Sequence, residues 1–353
     1  MVTEQTWFEA VVRWQRQHGR SGLPWQHTHD PYRVWLSEIM LQQTQVSTVL
    51  DYYPRFLEAF PNVQALADAP QTQVMALWSG LGYYSRARNL HACAQAVVRE
   101  HGGAFPSSAT ALQALPGIGP STAAAIAAFC FGERISILDG NVKRVLSRHW
   151  GFEQDVTSSA GHKALWALAQ QQLPSDPLHT DMVAYTQGLM DLGATVCKPR
   201  QPQCGVCPAQ AGCVAYASGE PMRLPVKAKR MVRRAEDWWL LVCVRADGAV
   251  WLTPRPSKGV WAGLYAFEVL TESAAAMAAP KGALRGVKPV LHTTVSHALT
   301  HKDLLLHMVQ WPLQDSFEGA GDGLWLHPQD DDSHVGLPAP LRVWLREVLW
   351  REI

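Results

Sequence analysis

Apolar positions along the first 215 residues recur at helical spacing. In 32–50 they fall at Val34, Ile39, Leu41 and Val46, with no Gly or Pro after Pro31. The spacing predicts one continuous helix there. Further helices fit 63–69, 71–78, 86–101, 110–115, 121–131, 142–150, 162–173 and 181–192. Gly and Pro punctuate them at Gly80/Gly82, Gly102–Pro106, Pro116–Gly119, Gly151 and Pro174–Pro177. The pattern changes at Glu236. Residues 238–244 and 249–253 read as strands joined across Asp247-Gly248 into a hairpin. Residues 304–311 read as another strand, 341–350 as a closing helix, and the Ala/Gly-rich run 274–286 as a loop.

This divides the chain into an all-α region over 1–217 and an α/β region over 235–353. The connecting 218–234 carries Arg223, Lys227, Lys229, Arg230, Arg233 and Arg234; within Met222–Arg234 there is no acidic residue. It reads as a cationic linker.

A chain of 353 residues fits two domains, and 47% hydrophobic against 17% charged residues is ample for buried cores. With 31 basic and 30 acidic residues there is no global basic field, so any nucleic-acid binding must rest on local patches. The opening MVTEQTWFEA lacks a secretory pattern. The longest uninterrupted apolar stretch, Ala123 to Phe131, is far short of a membrane span. Seven cysteines argue against a secreted disulfide framework, so the expected setting is a reducing cytoplasm.

Four of those cysteines, Cys197, Cys204, Cys207 and Cys213, follow C-x6-C-x2-C-x5-C within a Pro-rich excursion that also holds Lys198 and Arg200. Four thiolates at this spacing suit a tetrahedral zinc or an iron–sulfur cube, and ligand type alone leaves both open. Cys93, Cys130 and Cys243 stand alone in apolar surroundings and read as small core residues.

Leu115-Pro-Gly-Ile-Gly-Pro-Ser121 lies between two helical segments. Gly117 and Gly119 can take positive φ, and Pro120 starts a helix whose first amides favour an anion. The segment is either a DNA-phosphate holder or a plain corner between helices. Glu38 is surrounded by Trp35-Leu36-Ser37 and Ile39-Met40-Leu41. It is either on a solvated stripe or buried, and burial would make it a proton donor near neutral pH. Asp139, in Ile137-Leu-Asp-Gly-Asn141, is either a simple helix cap or a carboxylate kept ionised by backbone donors at a helix start. One neutral acid and one anion make the pair that glycosidic cleavage uses.

Together these motifs resemble the helix–hairpin–helix DNA glycosylases of the endonuclease III superfamily, and within it the adenine DNA glycosylase family. The resemblance runs through Leu23-Pro-Trp25-Gln26, Trp35-Leu-Ser-Glu38-Ile-Met-Leu-Gln-Gln-Thr-Gln45, Gly80-Leu-Gly-Tyr-Tyr84, Ile137-Leu-Asp-Gly-Asn-Val-Lys-Arg144 and Met190-Asp-Leu-Gly193. It implies a [4Fe–4S] cluster on the four cysteines. It also implies a double-stranded DNA partner with adenine opposite 8-oxoguanine or guanine, and a monomer. Bifunctional relatives carry a Lys nucleophile just after the hairpin glycines; here the residue is Ser121, which cannot form a Schiff base.

By the same resemblance, Glu38 protonates the adenine, Asp139 stabilises the sugar cation, and Asn141 orients that carboxylate. Trp25, Leu41 and Gln187 line the adenine pocket. Gln43 and Tyr83 wedge into the base stack. Gly117, Gly119, Ser121 and Lys143 hold phosphate. The C-terminal region resembles a Nudix fold, but the segment after Phe267 lacks the Glu-rich Mg²⁺ box, so the expected role is lesion reading, not hydrolysis. The family's lesion loop is Phe-Ser-His. Here it is Val295-Ser296-His297, and Ser296 and His297 carry over as lesion contacts.

Overall fold

The computed structural model describes residues 4–227, 233–280, 282–299, 301–314, 317 and 321–351. The chain forms two compact units. One contains the chain up to Ala67 together with the stretch from Ala92 to the linker. The other contains Asp68–His91 together with everything beyond the linker.

The first unit is helical, with α1 (Glu4–His18), α2 (Pro31–Leu41), α3 (Val46–Ala59) and α4 (Val63–Asp68). Next come α5 (Gln71–Leu77) and the start of α6 (Ser85–His101), which belong to the second unit. The helical unit resumes with the rest of α6, then α7 (Ala109–Gln113), α8 (Pro120–Phe131), α9 (Gly140–Trp150), α10 (Ser159–Gln171), α11 (His179–Asp191) and α12 (Val214–Ala217). Its core gathers Trp7 and Val11 of α1, Ala124 and Ala128 of α8, Leu146 of α9, Leu165 of α10 and Tyr185 of α11, with Ile137 and Leu192 from the segments beside them. At its centre, α8 is buried from Thr122 through Ala128. A run of alanines on all sides allows other helices to pack closely around it, as expected for a core helix without a polar face.

The predicted helix over 32–50 is two helices. Gln43 takes φ +59° and α2 ends at Leu41. No Gly or Pro marks this break. A tertiary contact accompanies it: Gln42 Nε2 donates to Thr122 Oγ1 of α8 at 3.2 Å, and Thr44 N–H turns back to Leu41 C=O. Tertiary context here overrides local propensity.

In the second unit, β1 (Arg234–Val244), β2 (Val250–Pro254), β3 (Tyr265–Ala266), β5 (Val290–Ala298) and β6 (Lys302–Pro312) form a sheet in the order β3-β2-β1-β6-β5. Two further strands lie off this path, β4 (Glu268–Leu270) on β1 and β7 (Leu324–Leu326) on β2. The predicted hairpin forms, with Val244 opposite Val250 and Gly248 at φ +84°. β1 and β6 run parallel in register from Arg234↔Lys302 to Val244↔Pro312. Within 274–286, read as loop, lies the short α13 (Ser273–Met277). The closing helix α14 (Ala339–Trp344) continues as a wider turn through Leu345–Leu349.

Asp68–His91 is tied into this unit by specific bonds. Ser79 Oγ donates to Leu337 C=O at 2.6 Å, and Arg88 Nη1 to Ala262 C=O at 2.5 Å. Of the basic linker, Lys229 and Arg230 lie outside the described residues. Its beginning is fastened to the helical unit: Val156 N–H donates to Val226 C=O, and Arg223 pairs with Glu153.

Candidate active site

Two helix starts and one helix interior position the central residues. Glu38 projects from the third turn of α2, between residues that are buried on both sides. Its carboxyl is pushed up to about 7, first by burial and second by the negative charge of Asp139. Both effects act in one direction, so the acid is held protonated near neutral pH.

Asp139 is the N-cap of α9. Its Oδ1 accepts the Val142 N–H at 2.7 Å, and the Asn141 N–H also favours its anion. Arg144 and Lys143 add positive charge, yet burial outweighs them and raises its pKa above the usual carboxylate value. Backbone donors and nearby cations serve Asp139, whereas Glu38 feels only burial and repulsion. When the pair carries one proton, that proton belongs on Glu38. Burial thus raises both carboxyls, while the backbone donors and cations that favour an anion stand on the Asp139 side alone.

Asn141 supports Asp139 through its backbone. Its side-chain Oδ1 instead accepts Arg144 Nη2 at 2.7 Å, and the same guanidinium nitrogen donates to Gly193 C=O at 2.7 Å. Gly193 makes this possible. A Cβ there would lie 2.6 Å from Asn141 Cβ, so the α9 start and the turn after α11 approach as only glycine allows.

Ser121, where lyase relatives have a Lys, accepts the Leu138 N–H at 3.2 Å and so braces the residue before Asp139. Of the two hairpin glycines, only Gly117 takes positive φ, at +74°. Gly119 is extended (φ −80°, ψ 170°) and serves as the N-cap of α8 without any side-chain cap. A Cβ on Gly119 would meet nothing within 4 Å. Its contribution is an open approach to uncapped helix amides, which suits a phosphate. Lys143 sits one helical turn into α9 beside Asp139.

Trp25 is buried and packs edge-to-face on Tyr53 at 5.4 Å. Leu41 closes α2. Gln187 lies on α11 and donates to Asp191 Oδ1 at 2.8 Å. Gln43 and Tyr83 are both exposed and both hold left-handed backbone, at φ +59° and +48°. Such conformations in non-glycine residues are strained and cluster at functional sites. Tyr83 belongs to the second unit, where its ring lies over Arg86 at 5.4 Å.

In β5, His297 and Val295 face a cavity of about 460 Å³ that Thr293, Pro340, Trp344 and Glu347 also line. Ser296 is exposed on the other face of the strand, opposite Leu305. The two lesion-contact candidates therefore do not share a face. This cavity belongs to the C-terminal unit, and neither carboxylate of the Glu38–Asp139 pair lines it.

All four cluster-loop thiols are free, and Cys207 feels the charges of Cys197, Cys204 and Cys213. Among the described residues, no three His, Cys, Asp or Glu side chains converge tightly enough for a single metal ion. Four thiols at this spacing suit either a zinc or an iron–sulfur cluster. The surroundings fit as well. Arg148 Nη1 lies 3.4 Å from Cys197 Sγ, and Arg144 adds a second cation. The backbone N–H groups of Ala209, Ala215 and Tyr216 point at Cys207 and Cys213. Cations and amide donors around thiolates are what an anionic cluster requires.

The motif reading left four residues unassigned: Arg20, Asp191, Arg148 and Arg144 as a strut. Asp191, an acid amid Gly188-Leu-Met190 and Leu192-Gly, carries the same signal that picked out Glu38.

Residues 36–171 match the family described as HhH-GPD superfamily base excision DNA repair protein, and 239–347 match the NUDIX domain. An adenine DNA glycosylase of Buchnera aphidicola subsp. Baizongia pistaciae is 32% identical over 96% of this chain and 96% of its own. The chain belongs to the adenine DNA glycosylase family. It is an enzyme of base excision repair with a helical HhH-GPD region and a Nudix-like C-terminal domain. Among solved structures, a thermostable thymine-DNA glycosylase matches 61% of this chain and 97% of its own at TM-score 0.55 and 29% identity. An endonuclease III bound non-covalently to DNA matches 62% and 99% at TM-score 0.51 and 20% identity, which is a likeness of fold. Among the described residues no helix is long and apolar enough to cross a membrane.

Proposed function

We propose that this chain excises adenine mispaired with 8-oxoguanine, or with guanine, from double-stranded DNA by hydrolysing the N-glycosidic bond. It acts as a monomer on DNA in the cytoplasm and does not cut the strand. The observation that carries this reading is the Glu38–Asp139 pair: one carboxyl pushed up to about 7 by burial and by its neighbour, the other served by backbone donors and cations.

The chemistry follows from those two environments. Adenine is a poor leaving group as an anion. Glu38 delivers a proton to N7, so the base departs neutral; acid catalysis of this kind contributes about 10²–10⁴-fold. As the bond breaks, positive charge builds on the sugar. Asp139, fixed by the Val142 N–H, stabilises that charge without having to reorganise. Water then completes the hydrolysis. The base must first leave the stack, at a cost of a few kcal/mol. Gln43 and Tyr83, exposed on left-handed backbone, are the wedge, and Trp25, Leu41 and Gln187 receive the purine. Gly117, Gly119, Ser121 and Lys143 form the phosphate-binding corner, where the uncapped amides of α8 do the work attributed to the motif.

Cys197, Cys204, Cys207 and Cys213 hold a [4Fe–4S] cluster, which supplies a rigid anionic anchor for its loop. Ser296 and His297 serve lesion reading, with His297 at the β5 cavity and Ser296 on the opposite face. The endonuclease III-type lyase alternative is disfavoured because Ser121 is engaged by the Leu138 N–H and has no amine to offer.

The test is a glycosylase assay on four duplexes, with adenine opposite 8-oxoguanine, guanine, cytosine or thymine. The reading predicts base release opposite the first two, with strand breakage only after alkali. Strand cleavage without alkali, or equal release from all four, would overturn it.

A further inference from the structure

Asp191 is fully buried at the end of α11, and its carboxylate is shared. Oδ1 accepts Gln187 Nε2 at 2.8 Å and Arg20 Nε at 2.7 Å, while Oδ2 accepts the Arg20 backbone N–H at 3.0 Å. Arg20 begins the loop that carries Trp25. That loop is closed on itself by Gln26, whose Nε2 donates to Arg20 C=O at 2.9 Å and whose Oε1 accepts the Leu23 N–H at 3.1 Å. One buried anion therefore ties together two segments 171 residues apart. Each segment carries a residue assigned above to the purine pocket.

The bond to Gln187 also fixes which way its amide faces. A glutamine amide has a donor end and an acceptor end. With the NH₂ given to a buried carboxylate, rotating the amide would set its carbonyl against that anion, so the reversed orientation is excluded. The Oε1 is thereby committed to the side away from Asp191 as a fixed acceptor.

We propose that Asp191 is the positioning residue for base selectivity: it locks the Gln187 carbonyl as an acceptor for a 6-amino purine and holds the Trp25 loop beside it. A 6-amino group donates to such an acceptor, whereas a 6-oxo purine presents a second acceptor and is repelled. Selectivity in such a site comes from the mismatch left to the wrong base as much as from contacts to the right one. The proposal rests on the pocket reading of Gln187.

The test compares single-turnover base release from duplexes carrying adenine or hypoxanthine opposite 8-oxoguanine. It uses the full-length wild-type chain, Asp191→Asn and Gln187→Ala. The readout is the adenine-to-hypoxanthine rate ratio within each preparation, which a fraction of inactive protein does not alter. An Asn at 191 offers its own rotatable amide and releases the lock. The expected result is a ratio at least tenfold lower in Asp191→Asn, with hypoxanthine release changed less than adenine release. If Asp191→Asn does not fold, Arg20→Met combined with Asp191→Leu removes both charges together and leaves no ion unpaired in the interior; the same fall in ratio is expected. Equal losses for both bases in the Asp191 variants, with a ratio that does fall in Gln187→Ala, would make Asp191 a structural residue and overturn the proposal. An unchanged ratio in Gln187→Ala would instead overturn the pocket reading beneath it.

Discussion

At the scale of single residues, the account turns on one proton and where it is held. Glu38 is an acid in apolar sequence, and sequence alone left open whether it was washed by solvent or withdrawn from it. The structure withdraws it and sets a second carboxylate against it. That environment has a cost for folding. The folded-state pKa lies above the unfolded value, so a proton taken up on folding favours the native state at low pH. This advantage is lost as pH rises from about 4.5 through about 7. Replacing Glu38 by Gln removes the charge that burial penalises. Glu38→Gln is expected to match the wild type in stability near pH 4. By pH 8 it should exceed it by about 1–3 kcal/mol, read as a gap in thermal midpoint that opens with pH. A gap that does not change with pH would contradict the buried position of the carboxyl. Asp139 was legible as a helix cap, and it is one. The balance at that position was not legible, because the burial opposing its backbone donors and the Arg144 guanidinium arises from the packed interior.

At the scale of elements, the helices were readable wherever Gly and Pro bracketed an apolar period. The hairpin at Asp247-Gly248 was readable from its turn chemistry. What local pattern does not carry is a break enforced from a distance. The stretch 32–50 has uninterrupted helical spacing, yet the chain turns at Gln43, where Gln42 reaches Thr122 on α8. β5 is a second such case: the sequence pattern did not single it out as a strand, and it pairs along β6. Asp191 illustrates a third case. Its contact with Gln187 is one helical turn away and is readable from spacing, but the contact with Arg20 is not. Element contacts also make a sharp prediction at Gly193. A methyl group there would press on Asn141 Cβ and displace the start of α9 that carries Asp139. Gly193→Ala should slow base release by about 10–100-fold, since a shift on the order of 1 Å in a catalytic group costs about that much. The far-ultraviolet circular dichroism should remain that of the wild type. Wild-type rates in Gly193→Ala would mean that the close approach does not matter to the site.

At the scale of the whole molecule, the division into a helical region and an α/β region was visible as a change of period. The membership of Asp68–His91 in the C-terminal unit was not. It depends on bonds such as Ser79 to Leu337 and Arg88 to Ala262, which join residues far apart in the chain. The cysteine loop shows the same dependence on remote partners. Arg148 is only 3% exposed, and its guanidinium bonds Leu224 C=O at the linker, Lys198 C=O and Pro199 C=O in the loop, besides lying against Cys197 Sγ. Arg148→Ala takes the donor from three carbonyls at once, that of the buried Leu224 among them. It is expected to lower stability by about 2–4 kcal/mol and to hasten loss of the brown absorbance of a [4Fe–4S] protein on mild heating. A colourless wild-type protein would contradict the cluster, and an Arg148→Ala protein as durable as wild type would contradict the strut.

The most direct measurement is the pH dependence of single-turnover adenine release from a duplex with 8-oxoguanine opposite, for the wild type, Glu38→Gln and Asp139→Asn. The account predicts that the wild-type rate falls as pH rises through about 7, where Glu38 gives up its proton. Asp139→Asn should be severely slowed, and Glu38→Gln should be slower by about 10²–10⁴-fold without that alkaline limb. A Glu38→Gln protein that releases adenine at the wild-type rate, or that keeps the same alkaline fall, would contradict it.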